Sequence, residues 1–301
     1  MPGGKDFFVT TRQSPILVEF GPTVLSIEPM TYSFHESPLH DIKFPIIAIA
    51  VYLTTVFFLI RLMDYRKRAN KGVSNPLITS PLILVIHNLF LSVGSLIMFI
   101  GCITEVYARY QREGSSFWLF CEREGADVKG NLYYWSYLYY LSKYYELLDT
   151  IIGLLRGSRM PNFKIQVYHH VVVIFMAWAW CQTGQSLQFI GLLFNTFVHV
   201  VMYMYYAASA GRWLEILEIT TWKKTIKMTT TRLQIIQFMT SFVCIVYSMF
   251  IEMNRSETEA HCSGFGADSF YALYANSLFN ATLLLAFLNV FKVNAKKKNT
   301  E

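Results

Sequence analysis

The chain has 301 residues, of which 53% are hydrophobic and only 15% charged, and its formal net charge is +6. The apolar residues come in long uncharged runs rather than alternating stripes, which excludes an ordinary soluble domain and points to a polytopic helical membrane protein. The basic residues flank those runs, so they report topology and make nucleic acid a poor partner.

A helix needs roughly 20 mainly apolar residues to cross the hydrocarbon core. In chain order the runs predict seven spans, an all-α architecture: near 44–62, 77–103, 131–155, 164–181, 185–210, 230–251 and 268–291. The third, "NLYYWSYLYYLSKYYELLDTIIGLL", is the least apolar. The expected organisation is an N-terminal segment 1–43, a seven-helix domain 44–292 and a basic tail 293–301. The first 40 residues hold no charged stretch leading into an apolar one, so no cleavable signal peptide is expected.

Lysine and arginine set the orientation. Loops one–two, three–four and five–six together with the C-terminus hold 17 of the 26. The N-terminal segment and the remaining loops hold eight, and Lys143 lies inside the third span. The expected topology therefore has the C-terminus in the cytosol and the N-terminus outside it. Cys181 and Cys244 fall within spans as ordinary small core residues. On the non-cytosolic side Cys262 has Cys121 and Cys102 as candidate partners, and an unpaired thiol is an equal alternative. Asn254-Arg255-Ser256 is a glycosylation sequon on that side, close to a span end.

Ionisable groups inside spans are costly and are usually functional or paired. The third span carries Lys143, Glu146, Asp149 and Thr150, which fall within about 120° of one helix surface. A salt-bridge ladder explains one pair but not the third charge. The fourth span carries Gln166, His169 and His170 on one face, and the fifth carries Asn195, His199, Met202, Tyr203 and Tyr206 as a stripe. For Tyr205 and Tyr206 an interfacial aromatic belt is the plainer explanation. The sixth begins with Thr231, Gln234 and Gln237, for which interhelical amide contacts are a fair alternative. Measured from the flanking basic residues, all four clusters lie in the cytosolic half of the bilayer. One polar chamber walled by spans three to six accounts for them together.

Two irons require a larger set of imidazoles than this chamber can collect. Only His87, His169, His170 and His199 of the seven histidines can reach it. A single zinc is arithmetically allowed but no ligand pattern demands it, so no metal or cofactor is expected. A seven-helix receptor would hold its ligand nearer the outer face. A transporter would favour broken helices in repeated halves, which the chain does not display clearly.

"KYYELLDT" (Lys143–Thr150) fits KxxExxDT, "NTFVHVVMYMYY" (Asn195–Tyr206) fits NxxxHxxMYxYY, and "TRLQIIQ" (Thr231–Gln237) fits TxxQxxQ. Together with "QVYHH" (Gln166–His170) the chain resembles the ELO family of fatty-acid elongases over nearly its whole length. One departure is that the family's HxxHH box here begins with Gln166, which cannot titrate.

The resemblance implies a condensing enzyme of the endoplasmic reticulum membrane, with a lumenal N-terminus and a cytosolic C-terminus. It would join a long-chain acyl-CoA to malonyl-CoA, releasing CO₂ and CoA and leaving a 3-oxoacyl-CoA. Spans two to seven would form a barrel around an acyl tunnel closed towards the lumen. Implied partners are the bilayer and the reductases and dehydratase that complete the cycle; a homo-oligomer is compatible. The box carries acylation over onto His169, with His170 beside it in the chamber wall. His199 would help place malonyl-CoA and assist its decarboxylation. Asn195 and Asp149 would orient imidazoles, Lys143 and Glu146 would shape the chamber, and Gln234 and Gln237 would lie near the thioester. Gln166 stands one turn before His169, where its amide could hold one ring nitrogen. Tyr203 and Tyr206 complete the stripe on the substrate side. Arg156, Arg159, Lys164, Lys223, Lys224 and Lys227 are candidates for the CoA phosphates. Tail "KKKNTE" resembles a dilysine retrieval signal but stands one residue out of its usual register.

Overall fold

The computed structural model describes residues 16–20, 23–27, 32–157, 163–216 and 222–298. A two-stranded antiparallel hairpin, β1 (Ile16–Phe20) and β2 (Thr23–Ile27), precedes a helical body. The helices are α1 (Lys43–Ala69), α2 (Pro81–Glu113), α3 (Asn131–Glu146), α4 (Leu148–Leu155), α5 (Phe163–Thr183), α6 (Gln188–Ala210), the short α7 (Trp213–Ile216), α8 (Trp222–Met253) and α9 (Ala272–Lys298).

Local chemistry sets the ends. Ser80 accepts the Leu82 amide as an N-cap and Pro81 opens α2, where a missing N–H costs nothing. Gly114 closes α2 in the left-handed conformation, φ +66°, with its amide on the Tyr110 carbonyl. Several helices run past their apolar cores: α1 continues through "DYRKRA" and α8 begins several residues before Thr230. Hydropathy marks the slab of hydrocarbon, whereas the backbone ladder continues into the aqueous flanks.

Among the described residues, five helical segments are long and apolar enough to cross a membrane: Lys43–Ala69, Pro81–Glu113, Gln188–Ala210, Thr225–Met253 and Ala272–Lys292. The third expected span is interrupted at Leu147 into α3 and α4, each too short by itself, although Leu147 keeps helical dihedrals (φ −58°, ψ −27°). The fourth, α5, has the length, but Gln166, His169 and His170 dilute its apolar character. Exposed large apolar side chains crowd the outer faces: Phe57 and Phe58 on α1, Phe90 and Ile97 on α2, Val243 and Phe250 on α8. An uncovered band of that extent is stable only against lipid, so the chain is a multi-pass membrane protein.

Packing relations run round in a circuit. α2 packs on α3 and α6, α3 on α5, α5 on α9, α9 on α8, and α8 on α6. Helix α1 lies outside this circuit, against α4 and α5. One end is tied shut by loops. Cys121 and Cys262 form a disulfide between the α2–α3 and α8–α9 loops. The Ser186 amide of the α5–α6 turn donates to the Ser263 carbonyl at 3.1 Å, and its hydroxyl accepts the Glu122 amide at 3.0 Å. Arg109 is ion-paired to Glu122 at 2.6 Å and lies over the Trp118 ring. Residues 32–40 pack onto the same half: Tyr137 and Tyr140 donate to the carbonyls of Pro38 and Leu39, and the Trp178 indole to that of His40.

Gly101 shows how closely α2 meets α3. A methyl group added there would stand 2.1 Å from the indole of Trp135. Gly101→Val is expected to destabilise the protein by about 1–3 kcal/mol through overpacking. Thermal unfolding of the detergent-solubilised variant checks this, and an unchanged midpoint would rule out the close approach.

Candidate active site

Lys143 and Glu146 of α3, His169 of α5, and Asn195 and His199 of α6 are brought together on the inner side of the circuit. Lys143 and Glu146 lie one turn apart on α3 and are 1% and 2% exposed. The Lys143 ammonium donates to Glu146 Oε1 at 2.6 Å and to Asn195 Oδ1 at 3.2 Å, and stands over the Tyr139 ring at 3.9 Å. Tyr139 donates to the same Asn195 oxygen at 3.0 Å. His199 Nδ1 is 3.6 Å from Glu146 Oε1. Every donor of this group therefore converges on one carboxylate oxygen or one amide oxygen. Glu146 Oε2 is buried with no partner.

Beside this cluster runs a narrow cavity of about 60 Å³. His169 lines it, together with Met176, Trp180, Asn195, Gln237 and Phe279. Both His169 and Trp180 belong to α5, so the cavity follows that helix for roughly 16 Å at 1.5 Å per residue. Beyond Trp180 lies the tied α5–α6 turn. The His169 ring stacks on Phe279, with centroids 6.0 Å apart, and meets His170 edge-on at 5.6 Å. No protein hydrogen bond engages the ring nitrogens of His169 among the described residues. His170 is buried, with Nδ1 unpartnered.

Asp149, expected to orient an imidazole, meets that of His87. Its Oδ1 is 2.6 Å from His87 Nε2, on α2, and its Oδ2 accepts the Tyr203 hydroxyl at 2.7 Å. Asn195 holds Lys143 and Tyr139 rather than an imidazole. Gln166 stands one turn before His169 but makes no hydrogen bond to it. Gln234 reaches only the Met202 thioether, at 3.9 Å, while Gln237 lines the cavity. Tyr206 is 42% exposed and is absent from the cavity wall. Arg156 bonds the Ser80 carbonyl, and Lys164 is exposed; neither lines the cavity. Arg159 lies outside the described residues, as do the side chains of Lys223 and Lys224. No group of three or more His, Cys, Asp or Glu with metal-ligand geometry occurs among the described residues.

Several lining residues carried no motif. Ser241 on α8 and Asn276 and Asn280 on α9 place polar groups in the wall, with Asn280 donating to Ser241 at 2.9 Å. The i, i+4 spacing of the two asparagines inside an apolar run was the available signal.

The sequence profile described as "ELO: GNS1/SUR4 family" matches residues 37–301. The chain belongs to the ELO family. Among its relatives, fatty acid elongase sre1 of Dictyostelium discoideum is 31% identical over 213 residues, covering 70% of this chain and 71% of the relative. Fatty acid elongase A of the same organism is 28% identical over 271 residues, covering 88% and 86%. Very long chain fatty acid elongase 5 of Tachysurus fulvidraco is 28% identical over 223 residues, covering 72% and 67%. Within the ELO match fall the Lys143–Glu146–Asn195–His199 cluster and the His169 cavity alike.

Proposed function

We propose that this ELO protein is the condensing enzyme of fatty-acid elongation, an acyltransferase that joins an acyl-CoA to malonyl-CoA. The observation that carries this is His169, which presents unengaged ring nitrogens to one end of a narrow, largely apolar cavity. The apolar lining suits the hydrocarbon part of an acyl group, and an imidazole beside it can meet the thioester. The relatives' names agree in chemistry with that geometry.

In the first half-reaction an imidazole nitrogen of His169 attacks the thioester carbonyl, the C–S bond breaks, and CoA leaves as the thiolate. In the second, the malonyl carboxylate departs as CO₂ and its bonding pair remains on the α-carbon. That carbon bonds the acyl carbonyl, and the C–N bond to His169 breaks. One proton is consumed overall, ending on CoA. Glu146, with Oε1 toward His199 Nδ1, favours the tautomer that leaves His199 Nε2 free to act on malonyl-CoA. Lys143 offsets the Glu146 charge in a site that water barely reaches.

The circuit α2–α3–α5–α9–α8–α6 supports a barrel around the acyl tunnel, with α3 and α4 counted as one span and seven spans in all. The disulfide between the α2–α3 and α8–α9 loops fits a lumenal side in the endoplasmic reticulum, since such bonds persist in oxidising compartments. Basic side chains then lie at the cytosolic mouth, where CoA and the other cycle enzymes are met. In intact microsomes a C-terminal tag should be cut by added protease and an N-terminal tag protected; the reverse would place the mouth in the lumen. The function itself is tested in microsomes by offering malonyl-CoA with a panel of acyl-CoAs. Extension of at least one chain by two carbons is expected, and no extension of any would reject the proposal.

A further inference from the structure

We propose that His87, on α2, is a positioning residue for the malonyl half of the condensation; this rests on the elongase function proposed above. His87 lies in an otherwise apolar run, far in sequence from every polar stripe of α3 to α8. Yet its side chain is only 6% exposed and meets Asp149 of α4. Nε2 donates to Asp149 Oδ1 at 2.6 Å, and the Tyr145 hydroxyl lies 3.4 Å from Nδ1, with the two rings stacked at 5.3 Å. A phenol donating to Nδ1 fixes the tautomer with the proton on Nε2, which is the nitrogen that faces the carboxylate.

Asp149 is thereby held from both sides. Oδ1 is taken by His87 and Oδ2 by the Tyr203 hydroxyl at 2.7 Å. The Tyr203 ring in turn stands edge-on to His199, with centroids 5.2 Å apart and planes at 87°. A chain of contacts therefore leads from α2 through α4 to α6 and ends on the imidazole that faces Glu146. His169 is not in this chain: it stacks on Phe279 of α9, across the cavity. The geometry thus separates two supports. One holds the ring proposed to carry the acyl group, and the other holds the ring proposed to act on malonyl-CoA. Loss of His87 frees one oxygen of a mostly buried carboxylate, which then turns and takes Tyr203 with it.

The two half-reactions can be read separately on the full-length protein in nanodiscs. Acyl-CoA alone reports CoA release, and later addition of malonyl-CoA reports product formation. His87→Leu is expected to leave the burst of CoA unchanged and to slow product formation roughly 100-fold, the scale of effect for a misplaced reacting group. His87→Gln, which keeps an N–H near the position of Nε2, should recover most of that loss. Tyr203→Phe deletes a single oxygen and should show the same selective loss, and combining it with His87→Leu should add little, because both act through one carboxylate. A purely structural role would depress both half-reactions together and would gain nothing from the glutamine. The inference is overturned if burst and condensation fall in parallel in Tyr203→Phe, or if His87→Leu condenses at the wild-type rate. A wild-type protein that releases no CoA and extends no chain would overturn the elongase function and this inference with it, in the same assay.

Discussion

Lys143→Met is expected to abolish elongation and to destabilise the protein by about 3–5 kcal/mol, the range found when one partner of a buried ion pair is removed. The size follows from burial. Both side chains are all but inaccessible, and the ammonium is the one full positive charge within 2.6 Å of Glu146 Oε1 among the described residues. Methionine fills much of the lysine volume, so the cost is electrostatic rather than a cavity. Asn195 also loses one of its two donors, and Tyr139 loses the cation over its ring. The double variant Lys143→Met with Glu146→Gln removes both charges and is expected to recover much of the stability while remaining inactive. Chemical denaturation of the solubilised variants distinguishes the outcomes. If the double variant is no more stable than Lys143→Met, the pair is not the source of the penalty.

His169→Ala is expected to lower elongation by about 10³-fold or more, as loss of a covalent nucleophile does, with little change in folding. The side chain makes no hydrogen bond to the protein among the described residues, so its removal deletes chiefly the ring contacts with Phe279 and His170. Gln166→Ala, by contrast, should have only a small effect, because that amide does not hold the His169 ring. Initial rates with a saturating acyl-CoA, set against thermal midpoints of the same preparations, separate chemistry from stability. Wild-type activity in His169→Ala would remove it from the reaction.

Much of the site was legible because helical periodicity is a local property. Lys143 and Glu146 at i, i+3, and Asn195 and His199 at i, i+4, had to share faces, and those faces do meet. The same periodicity grouped Asp149 with Lys143, but it did not tell which neighbours Asp149 would meet. A sector of about 120° is wide enough to touch two neighbours. Across the interruption at Leu147, Asp149 turns to α2 and α6 while Glu146 stays with His199. His87 was legible only as a histidine within reach, since a lone imidazole among apolar residues declares no partner and its pairing is tertiary. The apolar runs led to an expectation of seven spans; five helical segments among the described residues have the length and apolar character to cross a membrane, and the signal falls where the candidate site is built. Helices that carry buried lysine, glutamate and histidine cannot also be uniformly apolar, and α3 and α5 lose hydropathy for that reason, whereas α4 is apolar but short. Arg156 bonds the Ser80 carbonyl ahead of α2, a tertiary contact that its sequence context does not announce.

The central claim, acyl transfer through His169, is tested most directly by mass spectrometry of the purified protein after incubation with acyl-CoA alone. Stoichiometric free CoA, a mass increase equal to the acyl group, and a modified peptide that maps to His169 are expected before any malonyl-CoA is added. Product formation in a single turnover, with no acylated protein trapped at any time before it, would contradict that claim.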